Sequence, residues 1–247
     1  MAWDCLRGWL RSCAQLLPFK IIKIEVEMFK NKKMPRAVIF DQDGLLFDTE
    51  AVFERCWIAE GLKNGLELKK EFIYGLCGLG RKDLASAIAK EFPGVDGTSF
   101  VERVHHAAAE AQLAMTPVMK KGVREILEFC RARGLKTAVA SSSMRHLVDH
   151  NLATTNLTEY FDAIVTGKDV ENGKPAPDIF LLAAERIGVP ADECIVFEDS
   201  INGIKAACAA ASTAIMIPDR AQPTPEIRAI CTVFPSLLDA CEALSAL

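Results

Sequence analysis

The chain lacks surplus positive charge, has few histidines, and contains no unbroken apolar run long enough to cross a bilayer. Twenty-nine Lys and Arg stand against 33 Asp and Glu, for a net charge of −4 and a pI of about 5.7. This excludes a nucleic-acid binder that relies on bulk basicity. There are four histidines. His146 and His150 are one helical turn apart, a spacing that permits a metal pair, but no third ligand accompanies them. All four, His105 and His106 included, therefore read as ordinary surface positions. The nine cysteines are odd in number and never form a CxxC pair, which argues against zinc and against a disulfide framework. They read as reduced thiols packed in a cytosolic protein. In residues 1–33 the apolar runs fall short of the ~20 residues a membrane span needs, and no clear signal-peptide core precedes a cleavage site. A helix lying on a membrane surface is one reading of this stretch. The reading preferred here is a dispensable extension, with Met28 or Met34 opening the functional chain. Internal repeats and low-complexity segments are also absent.

What is present is a strong alternation. With 247 residues and 50% hydrophobic composition, the chain can bury one large core with a smaller second unit. Strands are expected at Ala37–Phe40, Thr137–Ala140, Ala163–Thr166, Ile195–Phe197 and Thr213–Ile217. Amphipathic helices lie between them, among them Val123–Arg133 closed by Gly134 and Asp178–Ile187 closed by Gly188. This order predicts an α/β fold: a Rossmann-like parallel sheet flanked by helices, with ligands bound beyond the carboxyl ends of its strands. Residues from about Glu50 to Met115 break the alternation with helices alone, at Val52–Leu62, Lys70–Leu76, Lys82–Phe92 and Phe100–Met115. The expected organisation is a catalytic core of residues 34–49 and 116–247 with an inserted all-helical cap at 50–115. A cap at that point lies over the strand ends, where it can exclude water.

Four separated pieces point to that edge. Asp41 and Asp43 in Asp41-Gln42-Asp43-Gly44 leave the first strand two positions apart, so an extended backbone turns both the same way. Carboxylates held that close repel unless a cation or a proton shares the site. Ser141, Ser142 and Ser143 follow the second strand, where hydroxyls and free N–H groups can hold an anion. Lys174 sits in Gly173-Lys174-Pro175-Ala176-Pro177, a loop stiffened by two prolines. Glu198 and Asp199 follow Ile195–Phe197. Each piece alone has an ordinary reading as a helix cap, a solvated lysine or an acidic turn. Together, in order at successive strand ends, they match a magnesium-dependent phosphoryl site.

From Met34 to Leu247 the sequence resembles the haloacid dehalogenase-like hydrolase superfamily, and its β-phosphoglucomutase-like branch in particular. Phe40–Glu50 is similar to the first family motif. Ser141 falls on the second, Gly173–Phe180 on the third, and Glu198-Asp199-Ser200 with Asn202-Gly203 on the fourth. The resemblance implies that Asp41 is the nucleophile that becomes an aspartyl-phosphate, and that Asp43 is the acid and base. It implies Mg2+ held by Asp41, the carbonyl of Asp43 and Asp199, with Glu198 close by. Ser141 and Lys174 would hold the transferring phosphoryl oxygens, with Gly44, Ser142 and Ser143 lining the substrate. Gly78–Asp83 resembles the cap loop that reaches substrate, where Arg81 would grip an anionic group or a hydroxyl.

Two departures bear on the reaction. The branch's phosphomutases carry histidine where Phe53 stands and tend to carry lysine where Met144 stands, so both residues favour a phosphatase. The alternatives are a β-phosphoglucomutase-type phosphomutase, or a non-catalytic protein that binds a phosphorylated ligand. The expected partner is a small phosphorylated sugar or nucleoside, not nucleic acid or membrane, and the chain is expected to act as a cytoplasmic monomer. Ala211 stands where relatives close the helix with glycine, at a cost of around 1 kcal/mol if that position needs positive φ.

Overall fold

A computed structural model describes residues 35–77 and 79–246; the expected extension over 1–33 lies outside them. The apolar run Ala37–Phe40 forms β1, every residue of it buried. Its side chains alternate between two cores, as the period of a strand requires. Val38 and Phe40 enter one apolar cluster, and Ala37 and Ile39 enter the other. The same division runs through β2 (Lys136–Ser141), β4 (Cys194–Glu198) and β5 (Thr213–Met216). Strands buried on both faces read as continuous hydrophobic runs, which is why they stand out in the sequence.

With β3 (Ala163–Thr166) and β6 (Thr232–Val233), the strands form one sheet in the order β3-β2-β1-β4-β5-β6, each pair parallel. One face is covered from Val123–Ala132, Arg145–Thr154 and Leu237–Ser245. The other is covered chiefly from Asp178–Ile187 and Ile201–Ala209. Strand β6 is absent from the sequence-based expectation. Two residues carry no periodicity, and Thr232–Val233 becomes a strand only by pairing with β5 at the sheet edge.

Between β1 and the helix at Val123 lie four helices: α1 (Glu50–Lys63), α2 (Lys70–Leu76), α3 (Arg81–Glu91) and α4 (Gly97–Leu113). They pack round their own apolar cluster, which includes Trp57, Ile73, Leu84, Ile88, Phe100 and Val104. The architecture is thus a Rossmann-like parallel sheet with an inserted all-helical cap. Asp96 caps α4 by accepting from the N–H groups of Thr98 and Ser99, satisfying two donors that the first helical turn leaves open. No helix among the described residues is long and apolar enough to cross a membrane.

Candidate active site

Register decides what meets what at the carboxyl edge of the sheet. Phe40 on β1 is level with Val139 on β2 and Phe197 on β4. The next residue of each strand therefore arrives at one place: Asp41 between Ala140 and Glu198. The Asp41 N–H donates to the Phe197 carbonyl at 3.0 Å, continuing the ladder by one step. Ser141 and Glu198, expected just beyond their strands, are the last residues within them.

Lys174 enters from the loop before the helix at Asp178. Its Nζ donates to Asp41 Oδ1 at 2.5 Å, to Glu198 Oε1 at 2.7 Å and to the Ala140 carbonyl at 3.2 Å. All three side chains are nearly enclosed. One carboxylate oxygen from each of Asp41, Glu198 and Asp199 lies within 4.8 Å of the others. Burial, helped by Glu198 and Asp43 and opposed by Lys174, pushes Asp41 up to about 8. Burial with Glu198 and Asp41 raises Asp199 well above the usual carboxylate range. Burial works against the charge on Lys174, yet Asp41 and Glu198 outweigh it and hold the ammonium protonated.

One buried ammonium cannot offset three buried acids once their protons leave, and a hard cation with oxygen ligands can take the place of those protons. The backbone makes room for this donor set. A Cβ on Gly203 would lie 1.9 Å from the Glu198 carboxylate, and one on Gly44 would lie 2.3 Å from Asp199 Oδ2. Gly44 also has φ +79°, a conformation that glycine adopts freely. Its N–H is already donated to the Phe47 carbonyl at 2.9 Å. Gly44 therefore supplies space at this edge, whereas the sequence-based reading had it contact substrate.

Asp43 turns to a different set of partners. Its carboxylate accepts from Thr49 Oγ1 at 2.8 Å, Ser141 Oγ at 3.0 Å and Ser143 Oγ at 2.7 Å. Ser141, read from sequence as an anion ligand, thus directs its hydroxyl at Asp43, while its oxygen accepts from the Ser143 N–H. Thr49 is a partner of Asp43 that the sequence reading did not single out; its place within the first motif, immediately before α1, was the available signal.

Above these groups lies a cavity of about 440 Å³. Asp41, Asp43, Ser142, Ser143, Lys174 and Asp199 form its floor, and Phe53, Leu79, Arg81 and His105 reach it from the cap. Arg81 opens α3 and is exposed. His105 corrects the reading of all four histidines as surface positions. Its ring packs edge-on against Phe53 with centroids 5.3 Å apart, and burial with the nearby Arg81 lowers its pKa to about 4. The sequence held a signal: position 105 is four residues after Val101 and three before Ala108, both buried, so it shares their helical face. His150 sits near the Met115 carbonyl at 3.1 Å and His146 is exposed, in line with their expected surface positions.

Comparison with known proteins agrees with this geometry. Residues 35–211 match the family model described as haloacid dehalogenase-like hydrolase. The chain is 38% identical over 183 residues to Protein SUPPRESSOR OF QUENCHING 1, chloroplastic, from Arabidopsis thaliana, with 70% of this chain covered. It spans only 17% of that protein's length. It is 33% identical over 174 residues to the Phosphorylated carbohydrates phosphatase of Thermotoga maritima, covering 69% of this chain and 79% of that one. Among solved structures, a HAD family hydrolase from Deinococcus radiodurans R1 with bound phosphate and sodium gives a TM-score of 0.71 at 26% identity, covering 87% of this chain and 97% of that one. On the strength of a family match over most of its length, with buried acids converging at the strand ends, the chain belongs to the haloacid dehalogenase-like hydrolases.

Proposed function

We propose that this protein is a magnesium-dependent phosphatase that hydrolyses a small phosphorylated sugar or nucleoside through an aspartyl-phosphate on Asp41. The observation that carries the reading is the packing of Asp41, Glu198, Asp199 and Lys174 round one point beneath the cavity. In this reading, the core comprises 34–49 and 116–247, the cap comprises 50–115, and the protein acts as a monomer in the cytoplasm. The seven described cysteines, all free thiols, support a reducing compartment. The similarity to a phosphorylated-carbohydrate phosphatase supports the substrate class.

Asp41 attacks phosphorus as the ester oxygen departs, and Asp43 gives that oxygen its proton. Water then attacks the acyl-phosphate, Asp43 takes a proton from it, and inorganic phosphate leaves. Three hydroxyl donors aim the Asp43 carboxylate and hold it in place between the two steps. Asp41, Asp199 and the Asp43 carbonyl, with Glu198 alongside, would hold magnesium, which would supply positive charge against the phosphoryl oxygens. Lys174 adds charge on the same side and keeps Asp41 oriented. Ser142 and Ser143 line the path of the phosphoryl group from below, Ser141 acts behind them by holding Asp43, and Arg81 meets the rest of the substrate from above. Phe53 places an apolar ring against the cavity, with no proton to relay back to a sugar, which favours hydrolysis over phosphoryl return.

The test is release of p-nitrophenol from its phosphate ester, with Mg2+ and with EDTA, beside Asp41→Asn. EDTA is expected to abolish turnover, and the variant to lose at least ~10³-fold in kcat, the scale expected when a covalent nucleophile is removed. Undiminished activity in Asp41→Asn would remove Asp41 as nucleophile. Conversion of a sugar 1-phosphate into its 6-phosphate without phosphate release would establish a phosphomutase instead.

A further inference from the structure

One acid beside this cluster has no part in the chemistry above. Asp219 follows β5, at the same edge of the sheet as the other acids. Its side chain is 6% exposed. Oδ1 accepts from Lys120 Nζ at 2.8 Å and has Arg220 within 3.6 Å. Oδ2 is buried and has no hydrogen-bond partner.

The direction of that orphan oxygen is given by Gly44. A Cβ built there meets Asp199 Oδ2 first and Asp219 Oδ2 next, the latter at 3.4 Å. Two carboxylate oxygens therefore crowd the same bare glycine, one from the cation cluster and one from outside it. A buried carboxylate oxygen that accepts nothing is costly, and a second carboxylate beside it adds repulsion. No donor among the described residues meets it. What relieves both costs is a donor carrying positive charge, on the side where Asp199 lies.

We propose that Asp219 is the outer carboxylate of the cation site, accepting hydrogen bonds from water that a divalent cation retains while Asp41, Glu198 and Asp199 face the ion. This rests on the reading that a divalent cation binds there. Asp219 lies outside the group of three acids whose oxygens fall within 4.8 Å, which suits contact through water and not direct ligation. Magnesium in particular dehydrates reluctantly and keeps several waters, each needing an acceptor. Lys120 lies in the segment returning from α4 to the sheet, where its N–H donates to the Leu46 carbonyl at 2.9 Å. The ion pair with Lys120 thus anchors Asp219 from the connection between cap and core. Partners one shell out from a metal orient its ligands and tune its affinity.

The test is calorimetric titration of the full chain with MgCl2 and MnCl2, comparing the wild type with Asp219→Asn and Asp219→Ser, and with thermal unfolding in EDTA to establish that each is folded. Both variants are expected to bind one cation about 10- to 100-fold more weakly than the wild type. Folded variants whose affinity stays within twofold of the wild type overturn the role of Asp219 and leave the cation reading standing. A wild-type chain that binds neither metal overturns the cation reading itself. If neither variant folds, Asp219 is a structural group and the proposal falls.

Discussion

Asp41 is buried between a lysine and two acids, and its carboxyl is held at about 8 where the ordinary value is 3.8. In the metal-free protein near neutral pH it therefore keeps its proton. A carboxyl raised in this way adds stability that is fully present below about 3.8 and is lost as pH rises through about 8. A cation competing for the same oxygens reverses the trend, because it binds best once the proton has gone. The increase in melting temperature produced by saturating Mg2+ over EDTA is thus expected to grow from pH 6 to pH 8.5. Scanning fluorimetry across that range checks this, and an increment independent of pH would contradict it. At this scale the sequence already named Asp41, Asp43, Lys174, Glu198 and Asp199, because each sits directly at a strand end or on a stiff loop. It did not disclose that Ser141 faces Asp43, which depends on rotamers set by three separate chain segments. Nor did it single out Asp219, although that residue follows a strand as the other acids do.

Most elements were legible because their signals are local. Buried strands show as short apolar runs, and helices end at glycines such as Gly134 and Gly188, both at positive φ. The helix at Ile201–Ala209 departs from that rule. It closes on Ala211 at φ +62°, with Ala211 N–H bonded to the Cys208 carbonyl and Ser212 N–H to the Ala207 carbonyl. That pair of bonds demands a left-handed residue at a position where alanine is strained. Ala211→Gly is expected to stabilise the fold by about 1 kcal/mol without altering turnover. Urea unfolding measures it, and an unchanged or lower midpoint would show that the strain is absorbed elsewhere.

The whole molecule holds its substrate space between two layers that are far apart in sequence. The floor is the sheet edge, and the roof is cap helices packed on their own apolar cluster. Selection of substrate is therefore expected to lie with roof residues, and the phosphoryl chemistry with the floor. Arg81→Ala is expected to raise KM for a phosphorylated sugar by about tenfold, the scale of one hydrogen bond to a charged group. Hydrolysis of p-nitrophenyl phosphate, whose leaving group offers Arg81 no hydroxyl, is expected to stay within about twofold, because Arg81 has no contact there to lose. Steady-state kinetics on both esters separates these outcomes, and an equal loss on both would place Arg81 in the phosphoryl machinery. The presence of a helical insertion was readable from the sequence. The spacing of His105 from Val101 and Ala108 was readable too, but that this face meets Phe53 at the cavity was not.

By itself the sequence determined the order of strands and helices, the interruption by a helical segment, and the chemical character of the residues leaving each strand. Those are local properties, written in periodicity and in the conformational demands of glycine and proline. The tertiary structure alone decided that Lys174 meets Asp41 across 133 positions, that Asp43 rests on three hydroxyls, and that one carboxylate oxygen of Asp219 is left without a donor. Such contacts follow from parallel pairing between distant strands and from the packing of a roof on a floor, and no short stretch of chain encodes either.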